Sequence, residues 1–106
     1  MSYRFMRVLV FFDLPTETTA DRREYAKFRR KLLKSGYVMM QKSVYIKLAL
    51  NSTYSEKFID EIRKNRPAKG LVQVLVITEK QYSKMESFNG AAESDVVATD
   101  ARLVII

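Results

Sequence analysis

The sequence predicts a mixed α/β domain in the order β-α-β-β-α-β, with one further strand at its carboxyl end. Apolar runs at residues 8–12 and 71–77 are too short for buried helices. They are rich in β-branched and aromatic side chains, which is typical of strands covered on both faces. Two other stretches, beginning near residues 19 and 51, carry apolar residues at helical spacing, and residues 37–50 are rich in strand-forming residues.

The composition indicates a single folded domain. With 106 residues, of which 47% are hydrophobic, the chain is long enough to bury a core and differs from a disordered segment. No secretory signal precedes the first apolar run, and no stretch is long enough to cross a bilayer. Since cysteine is also absent, we expect a cytoplasmic protein without a membrane partner.

The absence of histidine and cysteine restricts the possible chemistry. It excludes the usual zinc sites, cysteine nucleophiles and Ser-His triads. Any catalysis must use carboxylates, lysine, tyrosine or hydroxyl groups. Any metal cofactor would be a hard, oxygen-bound ion, Mg²⁺ or alternatively Mn²⁺.

The first predicted strand, residues 8–12, leads into an acidic side chain. Pro15 pushes Leu14 into an extended conformation and cannot continue a ladder, so the strand stops at or near Asp13. The carboxyl end of a buried strand is a common ligand site in α/β proteins. Asp13 is therefore a candidate metal-binding and catalytic residue. From the residues alone, however, we favour the alternative that its side chain accepts backbone hydrogen bonds in the turn that follows.

A long helix is predicted from about Thr19 to Ser35. Thr18 and Asp21 form a capping-box pattern at its start, and Gly36 is suited to its carboxyl end. The apolar stripe of this helix consists of Tyr25, Phe28 and Leu32.

The opposite side of this helix is strongly basic. The helix carries seven basic and two acidic residues, which accounts for most of the net charge of +7. Like charges at i, i+4 spacing repel each other by about 0.2–0.5 kcal/mol per pair, so selection for stability alone would intersperse glutamates. We therefore predict that this face binds a polyanion, the backbone of duplex DNA. The candidate nucleic-acid-binding residues are Arg22, Arg23, Lys27, Arg30 and Lys34. Alternative paths are Lys64, Arg66 and Lys69, or Lys80 and Lys84.

The middle of the chain continues the predicted series with two strands and a second helix. Residues 37–50 divide into two strands near residues 41–42, although no glycine or Asn-Gly pair marks a turn there. The second helix begins with the capping-box pattern of Thr53 and Glu56 and ends before Pro67. Its apolar stripe consists of Tyr54, Phe58 and Ile62.

The remaining elements define the domain limits. Residues 71–77 form the fourth strand and residues 79–87 a short helix, which completes a ferredoxin-like sandwich over residues 1–87. Residues 88–101 are a polar linker, and residues 102–106 form the C-terminal strand.

The predicted fold leaves one face of the sheet open. Both helices pack on the same face, yet the first and fourth strands are apolar on both faces. A second copy of the chain is the simplest cover for the other face, so we predict a homodimer. The fourth strand lies at an edge, where the strand at residues 102–106, from the same chain or a partner, can pair with it.

Two motifs resemble those of a known family. The run from Arg7 to Asp13 is similar to the opening strand and terminal aspartate of the small CRISPR-associated Cas-two proteins. Gln41–Tyr45 is similar to the Gln-x-Ser-Val-aromatic run of that family. The chain length, the basic first helix and the trailing strand also resemble those of this family. The sequence as a whole is similar to type II-A members.

The resemblance implies a ferredoxin-like homodimer whose C-terminal strand packs on the partner's sheet. It also implies a role in CRISPR adaptation, the acquisition of new spacers. There the dimer is a mainly architectural scaffold that bridges pairs of the Cas-one integrase while a DNA fragment is inserted into the repeat array. Some family members are described as metal-dependent endonucleases that act on RNA or DNA through the aspartate matched by Asp13.

Three classes of function follow from the sequence: a DNA-binding scaffold, a metal-dependent endonuclease, and an unrelated ferredoxin-like RNA-binding or regulatory module. An RNA-recognition domain should carry a Gly-aromatic strand motif, which residues 43–48 lack. A nuclease needs a group that activates water, and none is evident beside Asp13. We expect Gln41, Ser43 and Tyr45 to shape the sheet rather than to take part in chemistry.

Overall fold

Strands and helices follow one another in the predicted order over residues 5–89, which are the residues that the computed structural model describes. The strands are β1 (Met6–Asp13), β2 (Val38–Gln41), β3 (Val44–Ala49) and β4 (Leu71–Thr78). The helices are α1 (Thr19–Lys34), α2 (Ser52–Asn65) and α3 (Glu79–Ser83). The predicted strand at residues 102–106 and all but the start of the linker at residues 88–101 lie outside the described residues.

The described strands form one antiparallel sheet in the order β2-β3-β1-β4. β1 is central because it pairs with β3 on one side and with β4 on the other. β4 lies at an edge of this four-stranded sheet, as the sequence predicts. The element order and the antiparallel sheet confirm the ferredoxin-like α+β fold. Across residues 5–89, no helix has the length and apolar character needed to span a membrane.

One face of the sheet, here called the covered face, packs against α1 and α2. Side chains alternate along β1, so that Val8, Val10 and Phe12 join the core and are at most 5% exposed. The Phe12 ring lies 5.3 Å from the Phe28 ring and 5.5 Å from the Tyr45 ring, between centroids. The predicted helix stripes contribute Phe28, Leu32 and Ile62 to this core, with Tyr25 and Phe58 packed at its margin. Tyr54, in the first turn of α2, is exposed.

The ends of α1 agree with the sequence pattern. The Asp21 backbone N–H donates to the Thr18 hydroxyl at 2.9 Å, and the Thr18 N–H donates to the Asp21 carboxylate at 3.2 Å. This reciprocal pair confirms the predicted capping box. At the other end Gly36 has φ of +95°, a left-handed conformation that glycine adopts without strain.

The start of α2 differs from the prediction. Asn51 is the N-cap, and its side-chain oxygen accepts a hydrogen bond from the Tyr54 backbone N–H at 3.1 Å. Thr53 lies inside the first turn of the helix, so the proposed capping box with Glu56 is wrong. Asparagine is a stronger N-cap residue than threonine, and capping at Asn51 extends the helix by two residues.

The break between β2 and β3 lies at residues 42–43, one residue later than the predicted break near residues 41–42. Ser43 supplies the turn by adopting φ of +69°, a conformation that costs a residue with a Cβ roughly 1–2 kcal/mol. The Ser43 carbonyl accepts a hydrogen bond from the Phe12 N–H at 3.1 Å, which holds the turn against β1. The register also shifts between Met39 and Gln41. These contacts support a structural role for Gln41 and Ser43.

α3 is shorter than the predicted segment at residues 79–87. Its start is fixed by a capping box in which the Gln81 N–H donates to the Thr78 hydroxyl at 3.0 Å. At its end the Lys84 N–H bonds back to the Gln81 carbonyl at 3.1 Å, three residues earlier. This tight closure ends the helix after a single turn.

Two buried tyrosines differ in how their hydroxyl groups are satisfied. Tyr45 is 1% exposed, and its hydroxyl accepts a hydrogen bond from the Arg29 side chain at 2.8 Å, consistent with the structural role expected for it. Within the described residues the buried Tyr37 hydroxyl has no hydrogen-bond partner. Burial is the main reason that the pKa of Tyr37 is raised.

Candidate nucleic-acid interface

The outward side of α1 presents a continuous row of cations. Because Phe28 and Leu32 face the core, the side chains on the other side of the helix point to solvent. Four exposed cations lie there at the predicted spacing, and we call them the α1 cation line: Arg23, Lys27, Arg30 and Lys34. Within residues 5–89 none of the four makes a hydrogen bond or an ion pair. Their charges are therefore available to a ligand.

Arg22, the fifth predicted nucleic-acid-binding residue, has a different environment. Its guanidinium donates to the carbonyl oxygens of Thr16 and Glu17, at 3.1 and 3.0 Å. It also reaches the Thr19 hydroxyl at 3.4 Å. Arg22 therefore holds the loop between β1 and α1 in place. Sequence reasoning missed this role because an i, i+4 pattern reports on which face a residue lies, not on which groups it meets.

Two further basic residues of α1 also make intramolecular hydrogen bonds. Arg29 donates to the Tyr45 hydroxyl, and Lys31 donates to the Asn65 side chain of α2 at 3.2 Å. The structure thus divides the seven basic residues of this region. Three of them make intramolecular contacts, and four form the free α1 cation line.

Asp13 is exposed at the carboxyl end of β1, opposite Leu71 of β4. Within residues 5–89 its carboxylate has no hydrogen-bond or ion-pair partner. The turn after β1 is instead held by Arg22, so the alternative role of Asp13 as a turn acceptor finds no support in the described residues.

Gly70 allows β4 to start beside Asp13. A Cβ atom on Gly70 would lie 2.8 Å from the Asp13 carbonyl oxygen and 2.7 Å from a methyl group of Leu14. Gly70 also has φ of +93°, which a side chain would strain. Both observations make glycine necessary for the close packing of this edge of the sheet. The sequence does not indicate this contact, because Gly70 meets Asp13 and Leu14 only in the folded chain.

The acidic residues of the described segment do not form a preassembled metal site. Residues 5–89 contain no group of three or more acidic residues that could hold a metal ion. Within residues 5–89, Asp13 therefore does not belong to a cluster of three or more acidic side chains. Mg²⁺ and Mn²⁺ fit this donor only when a second carboxylate, water or a substrate phosphate completes the coordination.

The face of the sheet opposite the helices, here called the open face, carries exposed apolar side chains. Leu48 of β3 is 45% exposed, and Leu71 and Leu75 of β4 are 54% and 51% exposed. At the centre of the same face Leu9, which pairs with Leu75 and with Ile46, is buried. The open face thus leaves apolar side chains exposed at its margins in the described part of the chain, and contiguous exposed apolar patches mark interaction sites in soluble proteins.

One ion pair borders the open face. The Arg7 guanidinium donates two hydrogen bonds to the Glu79 carboxylate, the second at 3.0 Å, and it lies 4.6 Å from the Tyr82 ring centre. The hydrogen bond from Arg7 lowers the pKa of Glu79, and the same bond raises the pKa of Arg7. This contact fixes the single turn of α3 to the central strand.

Comparison with known proteins shows the family to which this fold and these motifs belong. The family model for CRISPR associated protein Cas2 matches residues 6–85, which include all seven described elements. The chain belongs to the Cas2 family. Both Asp13 and the Gln41–Tyr45 run lie within the matched span, so the predicted resemblance is confirmed.

Curated Cas2 proteins align over most of this chain. A protein from Treponema denticola is 52% identical over 95% of this chain and 100% of its own length. A protein from Streptococcus mutans is 41% identical over 95% of this chain and 93% of its own length. A third, from Acidovorax ebreus, is 46% identical over 80% of this chain. All three are named CRISPR-associated endoribonuclease Cas2.

Proposed function

We propose that this chain acts in CRISPR adaptation as a homodimeric scaffold that binds the backbone of duplex DNA and bridges subunits of the Cas-one integrase. The observation that carries the proposal is the α1 cation line, Arg23, Lys27, Arg30 and Lys34. Membership of the Cas2 family supports a role in adaptation.

The chemistry of the α1 cation line suits phosphate rather than base recognition. Lysine and arginine side chains at i, i+4 spacing lie about 5–6 Å apart and repel one another in the free protein. A bound polyanion relieves this repulsion, and arginine matches a phosphate with two hydrogen bonds. Contacts of this kind position a duplex without reading its sequence. They fit a protein that must hold DNA fragments of many sequences.

The open face supports the dimer in this proposal. Exposed leucines on β3 and β4 surround a buried centre at Leu9 and Ile46, so association through this face would remove apolar area from water. A C2 pair brings the same patch of each protomer together, which makes a self-complementary apolar face a suitable contact. Such a dimer carries two α1 cation lines.

A second candidate function, metal-dependent cleavage of RNA, is favoured by the names of the curated relatives and by the free, exposed carboxylate of Asp13. It requires that the Asp13 residues of two protomers share an Mg²⁺ or Mn²⁺ ion. When bound, such an ion would activate a water molecule and polarise the scissile phosphate. The chain has no histidine to assist proton transfer, so we place this function second.

The salt dependence of duplex binding tests the scaffold proposal. When the wild type binds a blunt-ended DNA duplex, the logarithm of the association constant should fall linearly with the logarithm of the salt concentration. Each phosphate contacted should contribute about 0.9 to this slope. Replacing Arg23, Lys27, Arg30 and Lys34 together with alanine should weaken binding and flatten this slope. A control variant replaces two exposed lysines that lie on none of the predicted nucleic-acid paths with alanine and should leave the slope intact. The control residues are Lys42 and Lys57.

Two results would oppose the proposal. If the control variant flattens the slope as much as the α1 variant, only net charge matters and the line is not the binding surface. If Asp13→Ala abolishes an Mg²⁺-dependent RNA cleavage by the wild type and also abolishes spacer integration with the Cas-one integrase, the chemistry of Asp13 is the main function.

A further inference from the structure

A groove between α1 and α2 gathers cations from both helices. It has a volume of about 110 Å³, and its floor includes the buried ring of Phe28. Four cationic side chains and one carboxylate line it: Lys27, Lys31, Lys64, Arg66 and Glu24. These residues come from distant parts of the sequence, so the excess of positive charge here is a product of the fold.

The contacts within the groove do not neutralise this charge. Lys31 donates to the neutral Asn65 side chain at 3.2 Å, across the groove, and Arg66 donates to the Arg63 carbonyl at 2.8 Å. Neither contact supplies a negative charge. Among the described residues Lys27 and Lys64 make no hydrogen bond or ion pair. An anion is the missing partner.

The carboxyl end of α2 opposes anion binding only weakly. Its macrodipole places about half a negative charge near Asn65. Four full positive charges line the same groove against the single carboxylate of Glu24, so the balance stays strongly positive. The Arg66 side chain further covers one of the free carbonyl groups of that helix end.

The groove is continuous with the α1 cation line, because Lys27 belongs to both. A nucleic-acid backbone that follows the line therefore passes the mouth of the groove. We propose that the groove between α1 and α2 holds a backbone phosphate through Lys27, Lys31, Lys64 and Arg66, so that the bound strand crosses from α1 to α2. This inference rests on the proposed binding of DNA and adds the path that the backbone takes.

The first test removes the two cations contributed from the α2 side. The double variant K64A/R66A should reduce the salt slope of duplex binding by up to about 0.9, the contribution of the one phosphate held in the groove. The matched control K42A/K57A removes the same charge outside the groove and should leave the slope nearly unchanged. Equal slopes for the wild type and K64A/R66A would overturn the groove assignment while leaving the α1 cation line intact.

The second test does not depend on DNA. Inorganic phosphate is titrated into the full-length protein at constant ionic strength, and backbone and Asn65 side-chain amide shifts are followed by NMR. We expect saturable shift changes at residues 64–66, at residue 68 and at Lys27 that disappear in K64A/R66A and persist in K42A/K57A. Changes that are unsaturable or spread over all exposed lysines would contradict a built phosphate site. If duplex binding is absent altogether, the proposed function fails, and the phosphate titration still decides whether the groove is a site.

Discussion

The two faces of the central sheet share the same strands but serve different purposes. On the covered face Val8, Val10 and Phe12 are almost completely buried by residues of α1, α2 and β3. On the open face Leu9 is buried at the centre, yet Leu75, directly opposite it on β4, is 51% exposed. The covered face therefore stabilises the single chain. The open face leaves apolar surface exposed within the described residues, and we propose that a second copy of the chain covers it.

This difference predicts where substitutions act. A change on the covered face should alter the free energy of unfolding, because it removes packing that already exists in one chain. A change on the margin of the open face should alter association and leave the fold intact. The largest effect is expected in the core and the smallest at the ion pair that borders the open face.

Phe12→Ala should give the largest loss of stability. The Phe12 ring lies within 5.8 Å of three other rings, those of Tyr25, Phe28 and Tyr45, between centroids. Truncating a buried phenylalanine costs about 3–5 kcal/mol, a large part of the stability of a domain of this size. Urea unfolding followed by circular dichroism measures the change. A loss below about 1 kcal/mol would show that the covered face is not the main core.

Leu75→Lys should disrupt the homodimer while preserving the fold. The substitution places a charge on the apolar margin of the open face, where Leu75 already contacts water in one chain. Sedimentation at micromolar concentration should show a dimer for the wild type and a monomer for the variant, with matching circular dichroism spectra. Ala26→Lys adds the same charge to an exposed position of α1 and should remain dimeric. A monomeric wild type, or a dimeric Leu75→Lys variant, would refute association through this face.

The ion pair between Arg7 and Glu79 should give the smallest effect and a defined pH dependence. The pKa of Glu79 is lowered in the folded chain. The contribution of Glu79 to the free energy of unfolding is therefore complete above the unfolded pKa near 4.5, and it is lost as the pH falls through the pKa of the folded chain. Because the Glu79 side chain is 41% exposed, the pair should contribute at most about 1 kcal/mol.

The variant Glu79→Gln isolates this contribution, since glutamine keeps the shape of the side chain without its charge. The difference in unfolding free energy between the wild type and the variant, followed by urea titration, should be present at neutral pH and should vanish in acid. A difference that is constant across this range would mean that charge plays no part in the contact.

Local features of the fold were predictable from the sequence because their causes are local. The capping box of Thr18 and Asp21, the turn at Gly36 and the apolar stripe of α1 each depend on residues within a few positions of one another. The α1 cation line follows from the same helical periodicity. The N-cap of α2 was misplaced because Asn51 and Thr53 both precede a suitable helix, and the choice depends on backbone geometry at Asn51.

The roles of several charged residues were not predictable, because their partners are distant in the sequence. Arg22 appeared to belong with the other cations of α1, yet its guanidinium binds the loop after β1. The sequence predicted Lys64 and Arg66 as part of a separate, alternative binding path for a polyanion. The fold places both residues beside Lys27 in one groove.

By itself, the sequence determined the order of strands and helices, the caps of α1 and the position of the α1 cation line, since each arises from periodicity and short-range hydrogen bonding. Only the tertiary structure decided which apolar residues are buried. Leu9 and Leu75 are both leucines on the same face, yet one lies on the central strand and the other on a strand that has a neighbour on only one side within the described residues. Position in the sheet, rather than residue type, decides which of them stays exposed.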